Sequence, residues 1–218
     1  MAVLLDPFGI AYFPIPKVAN STIRFALEAA CPDGFENIGN KRMSPGLRRR
    51  TAGRWRFAVV RDPLARALSG YANRVVHERD IIRSGVSVAA LRLLRRTPRP
   101  DPDTFFQNLR VYMLTNDRVR RHLMLQRRYL GTDLSFFDAI YRIDELPRLA
   151  RELSARLGRE VVFGHHQTGG PKLTWADLAP ATRRALAAYL APDYALLGAY
   201  FTPPWGKDEE SVYPTPQM

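Results

Sequence analysis

The sequence has little cysteine, little lysine and no long apolar run. Its single cysteine, Cys31, excludes an intramolecular disulfide framework and a zinc site built from several cysteines. No apolar stretch approaches the roughly 18 residues needed to cross a bilayer. The first residues lack the basic start and apolar core of a signal peptide. We therefore expect a cytoplasmic protein without a transmembrane segment.

Positive charge is abundant, and almost all of it comes from arginine. Lysine and arginine total 33 against 21 acidic residues, which gives a net charge of +12. The lysines are only Lys17, Lys41, Lys172 and Lys207. Because the arginine fork matches the geometry of phosphate and sulfate, we expect an anionic partner. A proteome rich in arginine would give the same total, and charge alone does not separate nucleic acid, nucleotide and acidic glycan.

The order of apolar and polar segments predicts one α/β domain. With 218 residues, 46% of them hydrophobic, the chain is long enough to bury one core. Strands are predicted at 11–15, 55–60, 137–143 and 161–163, and helices at 20–30, 62–76, 86–96, 104–115, 144–157 and 176–190. Residues 32–54 are interpreted as loop, and 202–218 as a loosely ordered tail after a domain over 1–201. The alternation predicts a sandwich of helices around a central, mostly parallel sheet.

The first candidate site is the junction between the first predicted strand and the helix after it. Such a junction presents free backbone N–H groups at the positive end of a helix, where phosphate or sulfate binds. Lys17 adds a charge to the loop, and Asn20, Ser21 and Thr22 add short polar side chains. The loop is not a Walker A motif, because it has no glycine and its lysine precedes the turn. An ordinary helix start beside a surface lysine would give the same pattern.

The second candidate site begins where the strand at 55–60 ends, at Arg61. Ligands of open α/β sheets bind beyond the carboxyl ends of strands, where Arg61 falls. In the next helix, one face is polar and the opposite face apolar; the polar face carries Asp62, Arg66, Ser69 and Asn73, and the apolar face Leu64, Leu68, Tyr71 and Val75. Arg61 paired with Asp62 would be a purely structural alternative. Together, the two sites match a nucleotide that carries two separate phosphate groups.

These segments resemble the carbohydrate sulfotransferases that use 3′-phosphoadenosine-5′-phosphosulfate (PAPS). The run Pro16-Lys17 to Ser21-Thr22 is similar to their 5′-phosphosulfate loop, and Val60-Arg61-Asp62-Pro63 to Tyr71 is similar to their 3′-phosphate motif. The closest resemblance is to enzymes acting on chondroitin, dermatan and related glycans, as a bacterial-like member. It extends over about residues 11 to 201 and includes His122-x-x-x-Gln126 and the ending Asp193-Tyr194 to Tyr200.

The resemblance implies a P-loop-like fold, PAPS as co-substrate and no metal. By position, the 5′-phosphosulfate would be held by Lys17, Ala19, Asn20, Ser21 and Thr22, and the 3′-phosphate by Arg61 and Ser69. Lys17 would also be catalytic, since it would neutralise the charge on the leaving phosphate oxygen. The acceptor would be a hydroxyl of a carbohydrate or glycoconjugate, and a membrane-linked acceptor would bring the chain into peripheral contact with a membrane.

The sequence does not identify a single residue as the general base. His122 is the first candidate, since histidine is the side chain that most readily exchanges a proton near neutral pH. His165, His166 and Glu28 are alternatives, and each also has an ordinary structural explanation as an exposed residue. Some related enzymes use histidines before the Arg61-Asp62-Pro63 segment, but the first histidine here is His77.

Two other functions fit the composition. A nucleotide-dependent kinase of the P-loop class would need the missing Walker A glycines. A basic nucleic-acid-binding domain would be expected to cluster its arginines on one recognition helix, with interleaved aromatics. The arginines are instead scattered, and the best organised polar residues follow two strands. The prediction is therefore a sulfotransferase with no nucleic-acid partner.

Overall fold

The computed structural model describes residues 2–38, 43–164 and 169–205. Within these ranges five strands form one sheet: β1 (Ala2–Leu5), β2 (Ile10–Phe13), β3 (Phe35–Ile38), β4 (Trp55–Val60) and β5 (Ala139–Arg142). The same ranges contain ten α-helices: α1 (Asn20–Ala30), α2 (Pro45–Arg50), α3 (Pro63–Tyr71), α4 (Gly85–Leu93), α5 (Pro102–Gln107), α6 (Leu109–Thr115), α7 (Asp117–Leu123), α8 (Arg127–Leu130), α9 (Leu146–Leu157) and α10 (Pro180–Leu197).

Shorter helical segments extend or connect these elements. Helix α3 continues into a π-helical segment, Ala72–His77. Short 3₁₀ turns lie at Asp6–Phe8, Pro32–Gly34, Leu134–Phe136, Ile143–Glu145 and Trp175–Asp177. The chain forms two compact units, the first from Met1–Arg61 and Gln126–Gln167 and the second from Asp62–Leu125 and Thr168–Met218.

The first unit contains the sheet, in the order β3-β1-β2-β4-β5. Strand β1 is antiparallel to both of its neighbours, whereas β2 with β4 and β4 with β5 are parallel. Strands β1 and β2 are buried throughout, which explains why they are continuous apolar runs without alternation. Because β2, β4 and β5 run the same way, their carboxyl ends lie at one edge of the sheet. The segment after β2 and Arg61 after β4 therefore start from the same edge.

The second unit is helical and has its own apolar core. Aromatic rings stack or tilt against one another at its centre, with centroids 5.1 Å apart for Tyr71 and Phe105 and 5.2 Å apart for Phe105 and Tyr112. Helix α3 packs against α7 and α10 in this unit. Trp205, the last described residue, is buried and contacts the Tyr194 ring edge to face at 5.0 Å. Residues 202–205, the described part of the predicted tail, therefore end at Trp205, whose side chain packs against Tyr194.

The mixed α/β class and the central sheet are confirmed, and so are the bounds predicted for α1 and β4. The loop predicted over 32–54 is wrong, since it contains β3 and α2. Strand β3 is a half-exposed edge strand whose polar Glu36 and Asn37 conceal the apolar pattern. Helix α2 is a short basic helix whose start is fixed by the Ser44 hydroxyl, which accepts from Leu47 N at 3.2 Å.

Two further predictions for secondary structure need correction. Residues 161–163 do not form a strand. Val161 is buried, and its N–H donates to Ser154 Oγ at 2.8 Å, so packing against α9 accounts for its apolar character. The helix predicted over 104–115 is divided at Asn108 into α5 and α6. Strand β1 was not predicted, because its four residues carry no period that distinguishes a strand.

Candidate anion-binding site

The turn between β2 and α1 has an unusual backbone. Lys17 and Ala19 both adopt left-handed conformations, with φ of 72° and 62°. For a residue with a Cβ this conformation costs about 1–2 kcal/mol, and it persists where the surrounding structure requires it. Right-handed helix begins at the next residue, Asn20. Alternation of left- and right-handed backbone turns successive N–H groups towards one concavity, which is a typical anion-binding shape.

The N-terminus of α1 has no side-chain cap. Its first helical hydrogen bond runs from Ile23 N to Ala19 O, at 3.0 Å. The N–H groups of Asn20, Ser21 and Thr22 precede that bond, and Ala19 at the N-cap position has no side chain that could accept from them. These donors lie at the positive end of the helix dipole, which favours a bound anion. Lys17, half-buried, adds a full charge two residues before this end.

The polar side chains of this turn differ in how they are held. The hydroxyl of Tyr12, buried in β2, donates to Asn20 Oδ1 at 3.4 Å and anchors the first helical residue to the sheet. Burial raises the pKa of Tyr12, so its hydroxyl remains a donor at all ordinary pH values. Thr22 is buried, while the side chain of Ser21 is exposed.

Arg61 is fixed at the end of β4 by the side chain of Gln126. The Gln126 amide accepts from Arg61 N at 3.2 Å and donates to Arg61 O at 2.7 Å. Gln126 is fully buried, so its amide satisfies both backbone groups of Arg61 away from water. The guanidinium of Arg61 then donates from Nη1 to the carbonyl oxygen of Lys17, at 3.2 Å. The structure therefore brings together the two residues that the sequence predicted at separate strand ends.

The role of Gln126 is not predicted by the sequence. The pattern His122-x-x-x-Gln126 relates Gln126 to His122, whereas its partner Arg61 lies 65 residues away in the chain. His122 belongs to the second unit and Gln126 to the first. No short motif could have identified this contact.

Helix α3 begins after β4, and its N-terminus is capped. Asp62 Oδ1 accepts from Ala65 N at 2.8 Å, as expected for an aspartate that directly precedes a proline in the first turn. Its other oxygen accepts from the hydroxyl of Tyr194, at 2.8 Å, and that hydroxyl accepts in turn from Leu64 N at 3.3 Å. Burial, and next the charge of Asp62, raise the pKa of Tyr194. Tyr194 therefore fixes the start of α3, a contact that the sequence did not predict.

The polar face predicted for α3 is not open to solvent. Arg66 and Asn73 are both buried, while Asp62 and Ser69 are half-buried. The apolar face packs as predicted, since Leu64, Leu68, Tyr71 and Val75 all lie in the core of the second unit. Helices α7 and α10 both pack against α3. Ser69 is the candidate ligand on this helix that retains partial exposure.

The candidate bases occupy different environments. His122 is half-buried on α7, and its Nδ1 lies 2.8 Å from the carbonyl oxygen of Arg118. Because a carbonyl only accepts, Nδ1 is the donor in this contact. Glu28 is exposed on α1, about 12 Å along the helix from Asn20 at 1.5 Å per residue, away from the Lys17 turn. His165 and His166 lie outside the described residues.

The described ranges contain no candidate metal cluster and no candidate membrane span. No group of three or more histidine, cysteine, aspartate or glutamate side chains there is arranged to hold a metal ion. No helix in those ranges is long and apolar enough to cross a bilayer. Cys31 is buried, as its small size and position at a helix end suggested.

Comparison with known proteins identifies the family. Searches of curated proteins and of solved structures gave no significant match. The sequence model described as "Sulfotransferase family" matches residues 2–172, which include the β2–α1 turn, Arg61, Ser69, His122 and Gln126. The match covers most of the chain and all of the strands described above. The chain therefore belongs to the sulfotransferase family.

Proposed function

We propose that the chain transfers the sulfuryl group of PAPS to a hydroxyl of a carbohydrate or glycoconjugate acceptor. The family supports sulfuryl transfer in general. One observation supports the donor in particular: the uncapped start of α1 lies beside Lys17, and Arg61 is tied to the carbonyl of that lysine. A donor with anionic groups at both its 5′ and 3′ positions would engage both elements. The proposal includes a P-loop-like three-layer sandwich as the fold and a cytoplasmic location.

In this proposal the two phosphate-bearing ends of PAPS have separate ligands. The 5′-phosphosulfate is held by the turn and first helical residues, namely Lys17, Ala19, Asn20, Ser21 and Thr22. Arg61 holds the 3′-phosphate, and the Gln126 amide supports this role by fixing the backbone from which the Arg61 side chain extends. Ser69 is assigned to the same phosphate from the sequence motif alone.

The reaction is an in-line displacement at sulfur. The acceptor oxygen forms a bond to sulfur while the bond between sulfur and the 5′-phosphate oxygen breaks, and 3′-phosphoadenosine-5′-phosphate (PAP) leaves. Positioning and charge stabilisation provide most of the rate enhancement in such transfers. Lys17 and the N–H groups of α1 would stabilise the charge that develops on the leaving oxygen. No metal ion is required in this scheme.

The proton of the acceptor hydroxyl goes to a base, for which His122 is the proposed residue. In the neutral ring, a proton on Nδ1 directed at Arg118 O would put the lone pair on Nε2, the nitrogen that would then accept the proton. Neutral histidine accepts a proton and releases it to water near neutral pH.

Calorimetric titration with PAP tests the donor assignment, with ATP and 5′-AMP as control nucleotides. We expect PAP to bind far better than either control, and Arg61→Ala to weaken PAP by about tenfold or more while leaving 5′-AMP unchanged. Arg142→Ala is the matched control, since Arg142 is an exposed arginine at the end of the neighbouring strand β5. Equal binding of PAP and 5′-AMP would contradict a 3′-phosphate site. Preferential binding of ATP would favour a kinase.

A further inference from the structure

Helix α4 and the turn after it expose large apolar side chains beside arginines. Val86 is 80% exposed, Leu93 85% and Leu94 52%. We use the name α4 patch for these three residues together with Arg92, Arg95, Arg96 and Arg99. Single exposed apolar residues are common, but three in nine positions form a contiguous feature.

Helix α4, which carries these exposed side chains, is fixed by side-chain hydrogen bonds. Ser84 caps α4 by accepting from Ser87 N at 3.2 Å, and Ser87 Oγ donates to Thr115 O at 2.7 Å. Ser87 and Leu91 face inward and are buried. With the inner face fixed, Val86 and Leu93 are held on the outer face, seven residues apart. Leu114, next to Thr115 on α6, is another exposed apolar side chain, at 83%.

All the charged side chains in and around the α4 patch, over residues 83–99, are positive. Residues 83–99 contain five arginines and no acidic residue. Within the described chain, Arg92, Arg95, Arg96 and Arg99 make no salt bridge to a carboxylate.

The nearest acidic groups in the sequence are already engaged. Asp80 is buried and pairs with Arg74 at 3.2 Å and Arg118 at 3.5 Å. Asp101 caps α5 by accepting from Thr104 N at 2.8 Å. The positive charge of the α4 patch is therefore left for an external partner.

We infer that the α4 patch docks on an anionic phospholipid surface. Leucine and valine enter the boundary between headgroups and acyl chains, while the adjacent arginines pair with lipid phosphates. A nucleic acid would satisfy the arginines but leave the leucines in water. A second copy of the chain would bring two sets of like charges together at one interface. This inference does not depend on the proposed sulfotransferase activity.

Co-sedimentation of the full chain with vesicles tests the inference. One set contains phosphatidylcholine alone, and the other equal parts of phosphatidylcholine and phosphatidylglycerol. We expect binding to the anionic set, and a loss of about tenfold or more in partitioning for the double variant Leu93→Gln with Leu94→Gln. The matched control is Val162→Gln, because Val162 is 67% exposed and lies in the other unit.

The charge component needs its own control, since a chain of net charge +12 adsorbs to any anionic surface. Arg95→Gln with Arg96→Gln is compared with Arg151→Gln with Arg184→Gln, a pair of exposed arginines outside the patch. We expect the first pair to lose several-fold more binding than the second, at about equal net charge. Thermal unfolding of every variant verifies that it is folded.

Three outcomes would overturn the inference. One is absence of binding to anionic vesicles by the folded chain. The second is binding that the two leucine substitutions leave unchanged, which would indicate adsorption by charge alone. The third is a dimer in analytical ultracentrifugation that dissociates in the leucine variant, which would assign the patch to a second copy of the chain.

Discussion

Helices α1 and α3 each begin just after a strand of the parallel pair β2 and β4, yet their N-termini differ. The start of α3 is closed by Asp62, which accepts from Ala65 N and from the hydroxyl of Tyr194. The start of α1 has alanine at the same position and a lysine two residues earlier. Since strand-to-helix junctions of both kinds offer N–H donors, the capping residue decides which of them remains available to an anion. The family resemblance assigns the phosphosulfate to the junction without a cap.

Giving α1 the cap of α3 should have the largest effect. Ala19→Asp places a carboxylate at the N-terminus where the 5′-phosphosulfate is proposed to bind, and aspartate tolerates left-handed backbone better than most residues. We expect PAP affinity to fall by about a hundredfold or more, since the new carboxylate would repel the anionic phosphate at close range. Calorimetry measures the affinity, and thermal unfolding should show no loss of stability.

Ala19→Asn is the control for this change, because it has the same size without the charge. It should weaken PAP far less than Ala19→Asp. If both variants bind PAP like the parent chain, the start of α1 is not the phosphosulfate site.

Removing the Gln126 amide, which fixes the backbone of Arg61, should have the second largest effect. Gln126→Leu leaves the N–H and carbonyl of Arg61 buried without these partners, which costs about 2 kcal/mol or more of the free energy of unfolding. We also expect PAP to bind about tenfold more weakly, because Arg61 loses its fixed position. Urea unfolding and calorimetry measure the two effects.

Gln107→Leu is the matched control, since Gln107 also bonds through its amide, to Thr182 at 2.8 Å, but belongs to the second unit. It should leave PAP affinity unchanged. If a folded Gln126→Leu variant binds PAP with unaltered affinity, Gln126 does not contribute to PAP binding.

Opening the cap of α3 should affect stability more than binding. Asp62→Ala removes the bond to Ala65 N and the partner of the Tyr194 hydroxyl, so we expect a loss of about 1–2 kcal/mol in the free energy of unfolding. Asp62→Asn, which keeps the cap, should recover most of it. Urea unfolding provides the measurement. A loss of PAP affinity as large as that of Ala19→Asp would mean that the two junctions are functionally alike.

The smallest effect is expected at Ser69. Ser69→Ala removes one neutral hydroxyl from the proposed 3′-phosphate ligands, which is worth about 0.5–1.5 kcal/mol, or a several-fold loss of PAP affinity. Affinity for 5′-AMP, which has no 3′-phosphate, should not change. Equal losses of affinity for PAP and 5′-AMP would indicate that Ser69 contacts a part of the nucleotide other than the 3′-phosphate.

Much of the fold and part of the site could be predicted from the sequence. Helix α1 and strand β4 have clear periods, and the rule that ligands bind beyond the carboxyl ends of strands was enough to identify Lys17 and Arg61 as candidate ligands. Their hydrogen-bond contact was not predicted. The cap by Asp62 followed from its position before Pro63.

The remaining features depend on contacts that no local pattern reveals. Gln126 reaches Arg61 across 65 residues, and Tyr194 reaches Asp62 across 132. The left-handed turn at Ala19 could not be predicted either, because left-handed backbone is usually signalled by glycine and this turn has none. The burial of Arg66 and Asn73 could not be predicted, because periodicity shows which face of a helix is polar but not which elements cover that face.

The placement of β5 has a consequence for the order in which the chain folds. Strand β5 pairs in parallel with β4, but the first part of the second unit, Asp62–Leu125, lies between them in the chain. During synthesis β4 and its apolar residues emerge long before β5 exists to cover that edge of the sheet. An unpaired edge of this kind is prone to join other chains, and distant pairings form slowly. The β4 edge of the sheet therefore remains unpaired while Asp62–Leu125 is being synthesised, and early folding of the intervening helices would shorten that exposure.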